Sequence, residues 1–172
     1  MTALSKPGVQ AFSGSAKGYI ITYAEVAFIK AEAAARGFNV GTATAEDLYK
    51  EAVTASMKQW GITDAKIIST YLEGVPYKGG TWKNVIGSQK WLALYMQGMQ
   101  GWLERLRLDP KKPDGTDLFV APVSGSLDSD IKDGVVKRLK YPSASRAANT
   151  QNVESASKRI GGDSQATKNW WD

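Results

Sequence analysis

Small apolar side chains first settle into a helical rhythm near Thr22. Ala24, Ala27, Ala31 and Ala35, with Phe28 beside them, recur in steps of three and four, the spacing that collects side chains on one face of an α-helix. Thr22 and Glu25 stand at capping-box spacing, Ala and Glu favour helix, and Gly37 supplies a stop. The pattern predicts a helix over residues 23–36, with a stripe of small side chains that lets another helix approach closely. Glu32 and Arg36, four apart, predict a local ion pair. Residues 44–60 repeat the design: Thr44 and Asp47 mark a start, Leu48, Ala52, Ala55 and Trp60 line one side, and Gly61 ends the run. Two helices of roughly 15 residues joined by a short polar link predict an antiparallel hairpin.

A shorter helix is expected over residues 63–72. Gly74, Pro76, Gly79 and Gly80 then punctuate a loop through residue 81. The longest helix is expected over residues 82–107, where Val85, Leu92, Met96, Met99, Leu103 and Leu106 keep the helical step and Trp91, Tyr95 and Trp102 widen the stripe. Gly98 and Gly101 would interrupt it at up to ~1 kcal/mol each, a cost that close contact with another backbone would explain. No period survives over residues 109–140, where Pro110, Pro113 and Pro122 punctuate the chain. So long a connection is functional or covers something. A last short helix is expected over residues 151–160, stopped by Gly161 and Gly162. The fold class is therefore all-α: helical hairpins like tetratricopeptide units, without the full repeat signature, carrying a long irregular loop. Trp91 and Trp102 on the long helix, and Trp170 and Trp171 at the end of the chain, are expected to be structural. If neighbouring hairpins are missing, the Ala stripe of the first helix is the expected orphan surface.

Composition narrows the chemistry. The 172 residues suit one compact domain over residues 19–172, after a polar, Gly- and Ser-rich leader over residues 1–18 that has no apolar signal-peptide core. No run is long enough to span a membrane. The net charge of +5 is spread along the chain; its densest cluster, Lys137, Arg138 and Lys140, is short and has no interleaved aromatics, so no nucleic-acid face is expected. With neither Cys nor His, disulfides, thiol nucleophiles, histidine bases and structural zinc are excluded, and no metal or other cofactor is expected.

The partial motifs in the chain are mismatched. Asp128, Asp130, Asp133 and Gly134 resemble a calcium loop, but the third acid comes one residue late and Leu139 stands where Glu is required. Ser129–Lys132 and Ser155–Lys158 match S-x-x-K without the companion motifs of serine acyl transfer. The glycines of residues 74–80 lack the Gly-Lys-Ser/Thr ending of a P-loop. Glu25 and Glu32 would stand roughly 10 Å apart along one helix, at the wide limit for an inverting glycosidase pair, yet both read more simply as a cap residue and an ion-pair partner. No catalytic residue is assigned.

Several short segments together carry a resemblance. They are residues 23–33, Ala55-Ser-Met-Lys-Gln-Trp-Gly61, Ile86-Gly-Ser-Gln-Lys-Trp-Leu-Ala-Leu-Tyr95 and Gly101-Trp-Leu-Glu104. Arg138-Leu-Lys-Tyr-Pro142, Asn149, Asn152, Arg159-Ile-Gly-Gly-Asp163 and the closing Trp170-Trp171-Asp172 complete the series. In this order, over residues 19–172, they resemble the C-terminal half of the SusD/RagB family, in its second SusD-like subgroup. Leu106 parts Arg105 from Arg107 where the family has adjacent arginines, and Lys140 stands in place of the usual Pro before Tyr141.

The resemblance implies a non-catalytic lipoprotein on the outer face of the outer membrane in Bacteroidetes. Such a protein caps a TonB-dependent transporter and captures oligosaccharides, or in some members peptides, for import. It implies a tetratricopeptide-like scaffold with long loops, and an export signal and lipid anchor outside this stretch. The helix pattern alone also permits a protein-interaction scaffold or, less readily, an all-helical glycan-active enzyme. No family binding residue maps onto a fixed position. From the residues themselves, the loop 74–82 is the expected ligand site: Tyr77 and Trp82 beside Gly79 and Gly80 offer rings to sugar C–H faces, and Lys78, with Lys83, offers hydrogen-bond donors.

Overall fold

The computed structural model describes residues 8–112, 114–119, 127–132 and 134–170. The chain divides into two compact units, Met1–Pro110 and Lys111–Asp172. Among the described residues there are helices, turns and one isolated bridge, and no strand.

The first unit is built on the hairpin of α1 (Tyr23–Ala35) and α2 (Ala45–Gln59). Thr22 Oγ1 accepts the backbone N–H of Glu25 at 3.1 Å. Thr44 and Asp47 form the full reciprocal capping box, each side chain taking the other's backbone N–H at 3.1 Å. Both helices end on a glycine. The N–H of Phe38 reaches the carbonyl of Ala33 and that of Gly37 reaches Ala34, while Ile62 and Gly61 repeat the arrangement on Met57 and Lys58. This Schellman closure needs a left-handed residue, and Gly37 and Gly61 supply it at φ +85° and +89°.

Ala24, Ala27 and Ala31 are buried with Phe28 against Leu48, Tyr49, Ala52 and Val53. The small stripe thus faces inward, because the absence of bulk lets α2 come close. The exposed apolar surface of α1 is the opposite one, Tyr23, Val26 and Ile29, which corrects the expectation that the Ala stripe is the orphan.

α3 (Ala65–Gly74) starts at Asp64, whose carboxylate caps Lys66 and Ile67. A 3-10 turn over Gly79–Thr81 leads into α4 (Trp82–Ala93). The long helix expected over residues 82–107 is two helices: α4 ends at Ala93 and α5 spans Gly98–Leu108. Met96 breaks the run at φ +70°, a left-handed conformation that costs a non-glycine residue about 1–2 kcal/mol. Gly98 opens α5, with open space where a Cβ would be, and Gly101 packs against the indole of Trp91. Neither touches a foreign backbone. The glycine in close contact is Gly87, where a Cβ would lie 3.2 Å from that of Leu108 and 3.3 Å from that of Pro110.

A ladder of alternating charge ties α1, α4 and α5. Lys90 Nζ donates to Glu104 at 2.8 Å, Arg107 donates to Glu104 at 2.7 Å, and Arg107 also holds Glu32. Lys90 is buried. A buried ammonium is tolerated only when paired, and Glu104 provides the pairing. The expected Glu32–Arg36 contact exists at 3.6 Å, but Arg107 makes the stronger one.

The second unit holds α6 (Ser143–Ala148) and α7 (Thr150–Arg159). The last helix lies one residue earlier than expected at both ends, and α6 is additional. Over the described residues 111–140 there is no helix, and the bridge Lys111–Asp117 is the one ladder element. Order comes from Asp163, whose carboxylate accepts the Tyr141 backbone N–H at 3.1 Å, Arg138 at 3.2 Å, and Arg146. Arg138 also lies 4.8 Å above the Tyr141 ring. Two members of the rejected calcium loop are engaged elsewhere, Asp128 with Lys140 and Asp130 with Ser164; Asp133 lies outside the described residues. Trp170 is 91% exposed, so it is no core residue within this chain, contrary to expectation. Trp171 lies outside the described residues.

Candidate ligand-binding groove

The turn after α3 is fixed from below. Tyr49, fully buried in α2, sends its hydroxyl to the carbonyl of Val75 at 2.7 Å. Burial holds that phenol well above its ordinary titration range, so it remains a donor. Its ring meets Tyr77 at 5.7 Å, tilted by 46°. Tyr71 Oη donates to Gln89 Oε1 at 2.9 Å and so joins α3 to α4.

Tyr77 therefore stands with one side packed and the other in an open groove of about 570 Å³ between α2 and α3. The α2 wall is Glu46, Lys50, Thr54 and Lys58, spaced by four residues, and the α3 wall offers Ile68, Ser69 and Leu72. Volume and mixture fit a small-ligand site: an apolar lining with a few convergent polar groups. Lys50 donates to Glu46 at 2.6 Å, and this bond and charge hold the ammonium above its ordinary value. Burial, and secondarily Glu46, likewise raise the Tyr77 phenol. At neutral pH the groove thus presents a neutral phenol, hydroxyls, the Lys50–Glu46 ion pair and the side chains of Lys58 and Glu73, which suits hydrogen bonding to a polar ligand.

The three residues picked from sequence do not converge. Tyr77 lines the groove. Trp82, first in α4, is partly buried at the edge of the core, and Lys78 is exposed at the start of the 3-10 turn. The α2 wall was missed, although Lys50, Thr54 and Lys58 carry a signal: a polar stripe at helical spacing, offset from the buried stripe of Leu48 and Ala52. The carboxylate of Glu32 is committed to Arg107, with Arg36 beside it. Burial pushes its pKa up, but the Arg107 hydrogen bond and the charges of Arg107, Lys90 and Arg36 outweigh this and hold it below the usual carboxylate range.

Comparison with known proteins adds to this geometry. Residues 1–142 match the SusD-like family model described as starch-binding and associating with the outer membrane. No curated protein matches the chain. Among solved structures, the Bacteroidetes AC2a SusD-like protein is similar with a TM-score of 0.73 at 24% identity, covering 90% of this chain and 30% of its own. A chitin-binding protein is similar with a TM-score of 0.69 at 30% identity, covering 87% and 32%. A SusD-like protein from Bacteroides thetaiotaomicron is similar with a TM-score of 0.68 at 26% identity, covering 86% and 36%. The chain spans about a third of the length of the solved structures it matches.

Proposed function

The chain belongs to the SusD-like family, and on that premise we propose that it is part of a cell-surface protein that captures glycans for import without transforming them. The observation that carries this reading is Tyr77, held by Tyr49 at the wall of an open groove that also presents Lys50, Thr54, Lys58 and Ser69. A sugar ring needs one apolar face to stack on and hydroxyl partners around its edge, and the groove offers both. Lys78 and Trp82, beside the groove, are further candidate contacts. The match to a chitin-binding protein at 30% identity supports a saccharide over a peptide. A TonB-dependent transporter is the proposed partner, and the proposed location is the outward face of the outer membrane, held there by a lipid anchor elsewhere in the polypeptide. Among the described residues no helix is long and apolar enough to cross a membrane.

The test is gel retardation in starch and in soluble chitin derivatives, with calorimetry on the matching oligosaccharides. Binding by the wild type, weakened by Tyr77→Ala, supports the reading. No retention on any glycan, or release of reducing ends during incubation, would overturn it. Co-purification of a transporter barrel with the tagged protein from the native membrane tests the partner. The hairpin scaffold favours one other reading, a protein-interaction module, because Tyr23, Val26 and Ile29 leave an apolar strip exposed on α1. Such a module would retain a protein partner and no glycan.

A further inference from the structure

The C-terminal end of α2 carries a second aromatic feature, separate from the Tyr77 groove. Trp60 caps α2 and meets the ring of Tyr95, just past α4, edge to face, with centroids 5.4 Å apart and planes at 68°. Aromatic pairs of this geometry commonly close a core. Here Tyr95 is 45% exposed and Trp60 is half-buried. Two hollows open beside the pair. One, of about 310 Å³, is walled by Trp60, Gln59, Met96, Tyr19 and the turn carrying Ser13 and Lys17. The other, of about 600 Å³, is walled by Trp60, Tyr95, Leu92 and Val9.

The polar groups of the smaller hollow point to a ligand. The Nε2 of Gln59 is shielded from solvent and has no acceptor among the described residues. A shielded donor without an acceptor is costly and rare in folded proteins; Gln59 walls this hollow and the neighbouring one beside Tyr23 and Glu51, and a ligand oxygen reaching its Nε2 would satisfy it. Ser13 and Ser15 share a hydrogen bond of 2.8 Å, which leaves one hydroxyl proton to offer outward. Lys17 brings three donors and is the one charged residue among the described lining residues. The hydroxyls of Ser13, Ser15 and Tyr19 and the carboxamide of Gln59 can both donate and accept, and Lys17 can only donate, so the complementary ligand carries oxygens that accept together with hydroxyls that donate. It also needs an apolar face for the indole. A pyranose ring meets both requirements, with axial C–H groups on one face and oxygens around its rim, and the volume is at the lower end of ligand sites.

We propose that Trp60, braced edge to face by Tyr95, forms a second saccharide subsite, which takes one pyranose ring of an oligosaccharide against Trp60 while Gln59 and Lys17 donate to its oxygens. The ligand class rests on the glycan reading above; the place does not depend on Tyr77.

The test titrates the 172-residue chain with chitohexaose and with maltohexaose, by calorimetry and by tryptophan fluorescence. Gln59→Leu and Lys17→Ala remove one donor each at positions that do not anchor the core, and circular dichroism checks their folding. The expected result is at least fivefold weaker binding of the responding hexasaccharide in each variant, with a fluorescence change that disappears in Trp60→Phe and survives in Tyr77→Ala. Equal affinity in wild type, Gln59→Leu, Lys17→Ala and Tyr95→Ala overturns the subsite and leaves the Tyr77 groove standing. Binding of neither hexasaccharide to the wild type at millimolar concentration overturns the subsite together with the glycan reading.

Discussion

Arg107 of α5 grips the carboxylate of Glu32 in α1 with both terminal nitrogens, at 2.5 and 2.6 Å, across 75 positions of chain. The fork geometry matches carboxylate to guanidinium bond for bond. Glu32 has only 7% of its side chain exposed, against 33% for Arg107. Removing the arginine would therefore strand a shielded anion. Arg107→Ala should cost about 2–3 kcal/mol in urea unfolding, less than a fully buried pair because the arginine is partly solvated. Arg107→Lys should recover only part of it, since an ammonium cannot make the paired bonds.

The same contact sets an acid limb. Glu32 titrates below its ordinary value in the folded chain. Its contribution is therefore fully present above the unfolded pKa of about 4.3 and is lost as pH falls through the lower folded value. Melting temperature should drop as the solution is acidified below about pH 4.3, and the drop should be shallower in Glu32→Gln, which starts from a lower plateau. Parallel acid limbs in the two proteins would show that other carboxylates dominate.

Two glycines should respond with opposite signs to alanine. Gly87→Ala puts a methyl group 3.2 and 3.3 Å from the Cβ atoms of Leu108 and Pro110. Those atoms are tied to backbone and cannot swing aside, so a loss of about 1 kcal/mol is expected despite the better helix propensity. Gly98→Ala meets open space and should gain up to about 1 kcal/mol. Thermal melts of the two variants decide it.

Trp91 and Trp170 should separate as sharply. Trp91 is half-buried against Gly101, so Trp91→Ala should cost about 2 kcal/mol, below the full core value. Trp170 is largely exposed, and Trp170→Ala should stay within about 0.5 kcal/mol of wild type.

The outward strip of α1 predicts a solution property. With Tyr23, Val26 and Ile29 exposed in one row, the 172-residue chain should bind a hydrophobic dye and associate at micromolar concentration. Val26→Lys combined with Ile29→Glu should weaken both, read by dye fluorescence and sedimentation. A monodisperse wild type that binds no dye would show that this strip is not sticky.

What could be read in the sequence was local. The caps at Thr22 and Thr44 and the stops at Gly37 and Gly61 act within a few residues, so their letters identify them; α3, expected over residues 63–72, spans Ala65–Gly74 behind an unexpected cap at Asp64. The break between α4 and α5 escaped because apolar residues keep the helical step on both sides of it. Gly98 was the one sign, and it read as an interruption although it is the first residue of α5. Glu32 showed its neighbour Arg36 and hid Arg107, since no periodicity reports a partner 75 residues away. The direction of the Ala stripe was misjudged because apolarity alone does not say which face a neighbour takes; steric size does, and α2 took the slimmer one. Tyr77, singled out by its Pro- and Gly-rich loop, lines the groove between α2 and α3. The wall facing it, Lys50, Thr54 and Lys58, belongs to another helix, and the groove exists only where α2 and α3 meet.

Asp163 imposes an order of events on biosynthesis. The residues that converge on its carboxylate, Arg138, Tyr141 and Arg146, all precede it in the chain. At roughly 5–20 residues per second, the ribosome releases Arg138 between one and several seconds before it releases Asp163. Through that interval two guanidinium groups wait without their shared anion, while the unit ending at Pro110 already has every residue of its charge ladder. A nascent chain halted between these points would carry a finished first unit and an unlatched second one.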